Sequence, residues 1–199
     1  MRIAILVVQG AFAEHRAKLE ALGAECMELR KKEDLQTAFD GLVLPGGEST
    51  VQGKLLKELD MFDFLREKIA GGMPVLATCA GLILLAGKLS NDDHVYFGTL
   101  PVTVRRNAYG RQLGSFHTFQ EMKGLGNVPM TFIRAPYIES AAENVEILAK
   151  VDGKIVAVKY GVQYGLSFHP ELDGDDRIHE LFLDDCRAYE SGRSIVPFP

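Results

Sequence analysis

Three side chains in this sequence have the types and settings that nucleophilic catalysis needs: Cys79, His169 and Glu171. Cys79 ends the apolar run Val75 to Thr78 and is followed by Ala80, Gly81 and a helix-forming stretch. A strand-to-helix turn with small neighbours lifts one side chain above the carboxyl end of a sheet. It also sets that side chain at a helix N-terminus, whose partial positive charge favours thiolate. His169 and Glu171 flank Pro170 just after another apolar run, Val162 to Phe168. Residues two apart in extended chain point to one side, and proline disfavours a helical His169, so the pair is expected side by side with the carboxylate orienting the imidazole. A Cys nucleophile, a His base and an acidic orienter together meet the requirements of acyl transfer through a thioester.

Two further segments could serve the same chemistry. The turn from Pro45 through Gly46, Gly47, Glu48 and Ser49 to Thr50 follows apolar Leu42, Val43 and Leu44. Its glycines allow backbone N–H groups to face a ligand as an oxyanion hole, and Ser49 with Gln52 has the spacing of a capping box. Gly53 and Lys54 do not make it a phosphate loop, because Glu48 stands where the first Gly belongs and Leu55 replaces Ser or Thr. Arg106, in the basic stretch Arg105 to Gln112, and Arg134, after Phe132 and Ile133, can each clamp a carboxylate. Taken singly, each feature has an ordinary reading: a buried free thiol, a His capping a strand end, a connector turn, solvated arginines. Asp92, Asp93 and His94, like Asp173, Asp175 and Asp176, lack calcium-loop spacing and read as turn and helix-cap residues. Neither a metal nor a cofactor is expected.

The elements that must position these groups begin with a buried strand from Ile3 to Val8, stopped by Gly10. Phe12, His15, Leu19 and Leu22 then form a helical face closed by Gly23. Strands follow at Cys26 to Leu29 and Gly41 to Leu44, a helix from Val51 to Ile69, a strand from Val75 to Thr78 and a helix over Leu82 to Ala86. This alternation predicts an α/β fold with a mostly parallel sheet covered on both faces. From Tyr96 to Phe168 the pattern becomes strand-rich, with segments at Tyr96 to Val104, Met130 to Ile133, Val145 to Lys150, Ile155 to Tyr160 and Val162 to Phe168, which predicts added antiparallel strands. An amphipathic helix over Asp176 to Tyr189 closes one domain spanning residues 1–199, with no linker to divide it.

The 199 residues carry 22 Lys plus Arg and 27 Asp plus Glu, a net charge of −5, with 47% hydrophobic residues. That balance suits a globular core and argues against nucleic acid or an anionic membrane as the main partner. Cys26, Cys79 and Cys186 are odd in number, widely spaced and without a CxxC pair, as in a reducing cytoplasm. The first apolar run is too short for a membrane span or a signal-peptide core.

Together the motifs resemble the class I (triad) glutamine amidotransferases, and among them the glutaminase subunits of pyridoxal 5'-phosphate synthases. The resemblance runs through Val8-Gln9-Gly10, LPGGEST (44–50), Thr78 to Gly81, RNAYGRQ (106–112), FIRAP (132–136) and FHPEL (168–172). It implies a flavodoxin-like three-layer fold and hydrolysis of L-glutamine. Cys79 would be the nucleophile, His169 the general base and acid, and Glu171 its orienter. The oxyanion would be held by the N–H of Ala80 and one from the Gly46–Gly47 turn. Glutamine would be held by Gly47, Glu48, Ser49, Arg106, Ile133 and Arg134. The resemblance further implies a (β/α)8-barrel synthase partner in a large hetero-oligomer, contacted around Val8 to Gly10 and Ser115 to Phe116. Ala77 departs from the pattern, where many relatives have Gly two places before the nucleophile. A flavodoxin-like redox sensor and a cysteine peptidase are the competing expectations for the same elbow thiol.

Overall fold

A computed structural model describes residues 1–106 and 115–192. The first half alternates β1 (Arg2–Leu6), α1 (Phe12–Ala21), β2 (Glu25–Leu29), β3 (Gly41–Leu44), α2 (Ser49–Glu58), α3 (Phe62–Ala70), β4 (Val75–Thr78) and α4 (Ala80–Leu85). The second half runs β5 (Ala86–Leu89), β6 (Leu100–Arg105), β7 (Ser115–Met122), β8 (Gly126–Ile133), β9 (Tyr137–Ala141), β10 (Glu146–Val151), β11 (Lys154–Tyr160), β12 (Gln163–Leu166) and α5 (Arg177–Glu190). None of these helices is long and apolar enough to cross a membrane.

The main sheet has the order β2-β1-β3-β4-β12-β11-β9-β6-β5, with β10 on β11 and a separate β7–β8 hairpin. Neighbours from β2 to β12 pair in parallel, whereas β12–β11, β11–β9 and β9–β6 are antiparallel. The apolar runs of the parallel strands are explained by burial on both faces. Ala4 and Leu6 of β1 join one core with Leu56, Leu65, Ile69 and Leu82 from α2, α3 and α4. Ile3 and Ile5, the alternate residues, join the other with Leu19 of α1 and Ile178, Phe182 and Leu183 of α5. The result is the three-layer arrangement that the alternation predicts.

One local expectation is corrected, and three strands appear that the sequence pattern did not predict. The helix expected from Val51 to Ile69 is two helices, because Asp60 turns left-handed (φ 52°) and Met61 donates its N–H back to Leu56 O at 3.0 Å, burying its own side chain. Strand β5 follows α4 with no intervening turn, so no punctuating residue marks it in the chain. In β7 the alternate positions are exposed or only half-buried, and β9 is short, with Ile138 its one fully buried residue. Neither has the apolar density that marks a strand in sequence.

What matters for the site is that β3, β4 and β12 are adjacent and parallel. Their carboxyl ends share one edge, where open α/β sheets gather their ligands. The chain leaves that edge through Gly46–Gly47, Cys79 and His169 respectively.

Candidate active site

Cys79 stands between β4 and α4 with φ 48° and ψ −98°, a strained conformation for a residue with a side chain. Its N–H donates to Leu166 O of β12 at 2.8 Å, and its carbonyl receives Ile83 N–H at 3.3 Å. These two bonds tie the turn to the sheet below and the helix above. Gly81 permits the close fit, since a β-carbon there would lie 2.0 Å from Leu44 O of β3. Ala77, the departure from the family pattern, is fully buried between Leu44 and Gly165 in the sheet and is accommodated without disturbing the turn. Cys79 itself is 8% exposed, with Sγ 4.0 Å from Ile133 O. Cys26 and Cys186 are no rivals as nucleophiles, since burial pushes both thiols up, Cys26 to about 11.

His169 lies beyond the end of β12, pinned by its N–H to Thr131 O at 2.8 Å. Its Nδ1 is 2.7 Å from Glu171 Oε1, and both residues are buried. The pairing arises differently from the extended-chain argument: Pro170–Leu172 form one turn of 3₁₀ helix, begun by the proline, and that turn folds Glu171 back beneath the imidazole. Burial opposes charge on His169, but hydrogen bonds to Cys79 and Glu171 outweigh it and raise the imidazole above its ordinary value. Burial likewise opposes charge on Glu171. The imidazoles of His15 and His169 outweigh it and hold the carboxyl below the usual carboxylate range. A thiol, an imidazole and an ionised carboxylate in this order can form and discharge a thioester.

The Gly46–Gly47 turn sits against the imidazole. Gly46 O accepts Ala11 N–H at 3.1 Å, so across the planar trans peptide the Gly47 N–H points the other way. Gly47 has φ 153°, and Glu48 N–H donates to Gln9 Oε1 at 2.7 Å. The expected capping box is absent. Ser49 is already the first residue of α2, and Gln52 Nε2 reaches instead to Gln9 O (2.8 Å) and Pro45 O (3.2 Å). Gln52 therefore fastens the glycine turn to the loop after β1.

Two depressions meet at Cys79. One is lined by Gly47, Glu48, Ser49, Arg106, Ile133 and Arg134. The other opens beside Gln9, Ala11, Gly46 and His169. Glu48 and Arg134 border both, with Arg134 Nη2 3.6 Å from Glu48 Oε1. Arg134 also has a left-handed backbone (φ 43°), a second strained residue at the site. Arg106 is aimed by Asp92, which it pairs with, and by Thr50 Oγ1 at 3.1 Å. Asp92, read from sequence as a turn residue, thus also braces an arginine of the cleft.

A family model described as the SNO glutamine amidotransferase family matches residues 5–188. The chain belongs to the SNO glutamine amidotransferase family. It is 67% identical over 191 residues to "Pyridoxal 5'-phosphate synthase subunit PdxT" of Desulfitobacterium hafniense (strain DSM 10664 / DCB-2), covering 96% of each chain. A protein of the same name from Streptococcus pneumoniae (strain CGSP14) is 52% identical over 190 residues, covering 94% of this chain and 98% of that one. Among solved structures, a crystal structure of a glutamine amidotransferase superposes with a TM-score of 0.88 at 41% identity, over 93% of this chain and 98% of that one. A glutamine amidotransferase from Thermotoga maritima, 16% identical, shares the fold with a TM-score of 0.61 over 98% of this chain and 86% of that one.

In this SNO-family amidotransferase, Gly46, Gly47, Glu48, Ser49, Arg106, Ile133, Arg134 and His169 border the two depressions around Cys79, while Glu171 is buried against His169. Ala80 begins α4 directly behind the thiol. Asn107 to Gln112, the remainder of the RNAYGRQ string, lie outside the described residues. The redox-sensor expectation finds no support, since Cys79 is buried against an imidazole. Sequence reasoning missed His15 and His179, which stand buried behind Glu171. The signal was available for His15, a polar residue on the apolar face of α1.

Proposed function

We propose that this chain is the glutaminase subunit of a pyridoxal 5'-phosphate synthase, hydrolysing L-glutamine to L-glutamate and ammonia. The observation that carries the reading is the elbow thiol of Cys79 beside an imidazole whose far nitrogen is 2.7 Å from a buried carboxylate. The names of the relatives from D. hafniense and S. pneumoniae supply the biosynthetic setting.

The Cys79 thiolate attacks the side-chain amide carbon of glutamine, and its charge passes to the amide oxygen. The N–H of Ala80, at the start of α4, and an N–H of the Gly46–Gly47 turn receive that oxyanion. Each such donor is worth on the order of 100- to 1,000-fold in rate. As the C–N bond breaks, His169 gives its proton to the departing nitrogen, and ammonia leaves behind a glutamyl thioester. His169 then takes a proton from water, the hydroxide displaces Cys79, and glutamate is released with the thiolate restored. Glu171 keeps the imidazole in the orientation both steps need.

Gly47, Glu48, Ser49, Arg106, Ile133 and Arg134 hold the glutamine. The Arg106 side of the cleft takes the amino-acid end, and the depression beside Gln9 and His169 gives ammonia a way out. Its mouth is where a (β/α)8-barrel synthase subunit would dock in a hetero-oligomer, contacting Val8 to Gly10 and Ser115 to Phe116. Adjacent glycines allow the Gly46–Gly47 peptide to turn over, so docking can set the oxyanion hole.

Ammonia release from glutamine by the purified chain, alone and with the barrel subunit, tests the reading. Release that needs Cys79 and rises with the partner supports it. Peptide cleavage without glutamine hydrolysis would reinstate the cysteine-peptidase reading.

A further inference from the structure

Glu171 has two carboxylate oxygens, and the triad uses one. Oε1 faces His169 Nδ1 at 2.7 Å, while Oε2 is buried and, among the described residues, accepts no hydrogen bond of ordinary geometry. The side chain nearest to supplying one is His15 of α1, with Nε2 3.3 Å away. Thr78 Oγ1, one residue before the nucleophile, is also 3.3 Å from that nitrogen. The other ring nitrogen, Nδ1, lies 3.0 Å from Nε2 of His179 on α5. Both histidines are fully buried, with ring centroids 5.2 Å apart. Packing alone does not account for them, because apolar side chains would fill the same space without desolvating four ring nitrogens.

Hydrogen-bond satisfaction fixes where the protons sit. His179 Nδ1 has no partner among the described residues. A bare lone pair is tolerated there better than a buried N–H, so His179 carries its proton on Nε2 and donates to His15 Nδ1. His15 then carries its own proton on Nε2, which lies 3.3 Å from both Glu171 Oε2 and Thr78 Oγ1, and of the two the carboxylate is the charged acceptor. The opposite tautomers would set two lone pairs against each other at Glu171 and strand an N–H on His179. Both ends of the chain demand the same direction.

We propose that His15 is a positioning residue for the triad: neutral and locked in one tautomer by His179, it donates Nε2–H to Glu171 Oε2 and keeps that carboxylate ionised and aimed at His169. The proposal rests on the triad reading given above. The groups facing His15 are Glu171, His169, Glu14, Lys18 and His179, and those facing His179 are His15 and Lys18. Burial is the largest influence on both imidazoles and keeps them uncharged, against the pull of Glu171 on His15.

The test uses the assembled complex with its synthase subunit. His15→Leu removes the donor, whereas His15→Gln returns an N–H near the Nε2 position. The Leu variant should lower kcat on the order of ten- to a hundredfold with KM for glutamine little changed. The acidic limb of its kcat/KM profile should move up by about one pH unit, because a carboxylate that loses a donor takes a proton more readily. The Gln variant should recover part of both changes. A Leu variant with an unmoved limb and kcat within about threefold of wild type overturns the proposal, as does a loss that Gln does not repair. Should the Leu variant not fold, imidazole ¹⁵N spectra of the full wild-type chain decide. A neutral Nε2–H tautomer at His15 between about pH 6 and 8 supports the proposal, and a protonated or Nδ1–H ring overturns it. Cys79→Ala, run alongside, must abolish ammonia release. Turnover surviving there would bring down the triad reading itself, a result distinct from any His15 outcome.

Discussion

Gly46 lies so close to His169 that a β-carbon on it would sit 2.3 Å from the imidazole Cε1 and 3.0 Å from Nδ1. The glycine is the wall against which the proposed base is set. Gly46→Ala should displace the ring from Glu171 and lower kcat for glutamine on the order of a hundredfold, since small misplacements of a catalytic group carry costs of that size. The melting temperature should fall as well, because the displaced ring leaves the buried Glu171 carboxylate without its partner. Steady-state kinetics and a thermal melt, taken together, check both expectations.

At Gly81 the same substitution should act through folding. Its β-carbon would meet Leu44 O, a backbone atom that cannot swing aside. Gly81→Ala should cost on the order of 2 kcal/mol or more in chemical denaturation, as overpacking of a close-fitted site does. An undiminished denaturation midpoint would mean that β3 and α4 separate easily.

Arg106 is braced on two sides, by Asp92 and Thr50. Arg106→Lys keeps the charge but loses the planar fork that bonds both at once. KM for glutamine should rise about tenfold, with kcat changed much less. Asp92→Asn should reproduce a smaller part of that rise, and a variant with altered kcat and normal KM would place Arg106 elsewhere in the reaction.

The buried imidazoles predict how stability follows pH. His15 is lowered and His179 lowered to about 2, in both cases first by burial, so each stays neutral when folded and takes up a proton only on unfolding. The unfolded state therefore binds more protons below about pH 6.5, and stability rises with pH through that region. Each such group contributes a slope of up to about 1.4 kcal/mol per pH unit. Melting temperature should fall between about pH 7 and 5, and His179→Gln should flatten the fall. His169 has the opposite sign: its raised value adds stability that is complete below the ordinary histidine range and fades as pH rises through the folded value.

Much of this was legible in the residues. The runs at Ile3 to Val8 and Val75 to Thr78 marked strands, the first of which ends at Leu6, because burial on both faces leaves no polar position to interrupt them. The elbow at Cys79 and the pair His169–Glu171 were legible from residue type and spacing, though a 3₁₀ turn and not extended chain brings the pair together. The bracing of Arg106 by Asp92 was not, since nothing local in a turn aspartate names an arginine just beyond a later strand. His179 escaped for a related reason: a histidine on an amphipathic helix acquires its meaning only when α1 and α5 pack on the same sheet face.

The placement of β12 also bears on how the protein assembles. It pairs with β4, laid down in the first half of the chain, and only afterwards does His169 emerge beside Cys79. Until that late, long-range pairing forms, the β12 side of β4 is an unprotected edge and the Cys79 thiol lacks its proposed base. A contact of such sequence separation is entropically slow to close. On the proposed roles, a chain truncated ahead of β12 would carry the Cys79 thiol without the imidazole that activates it.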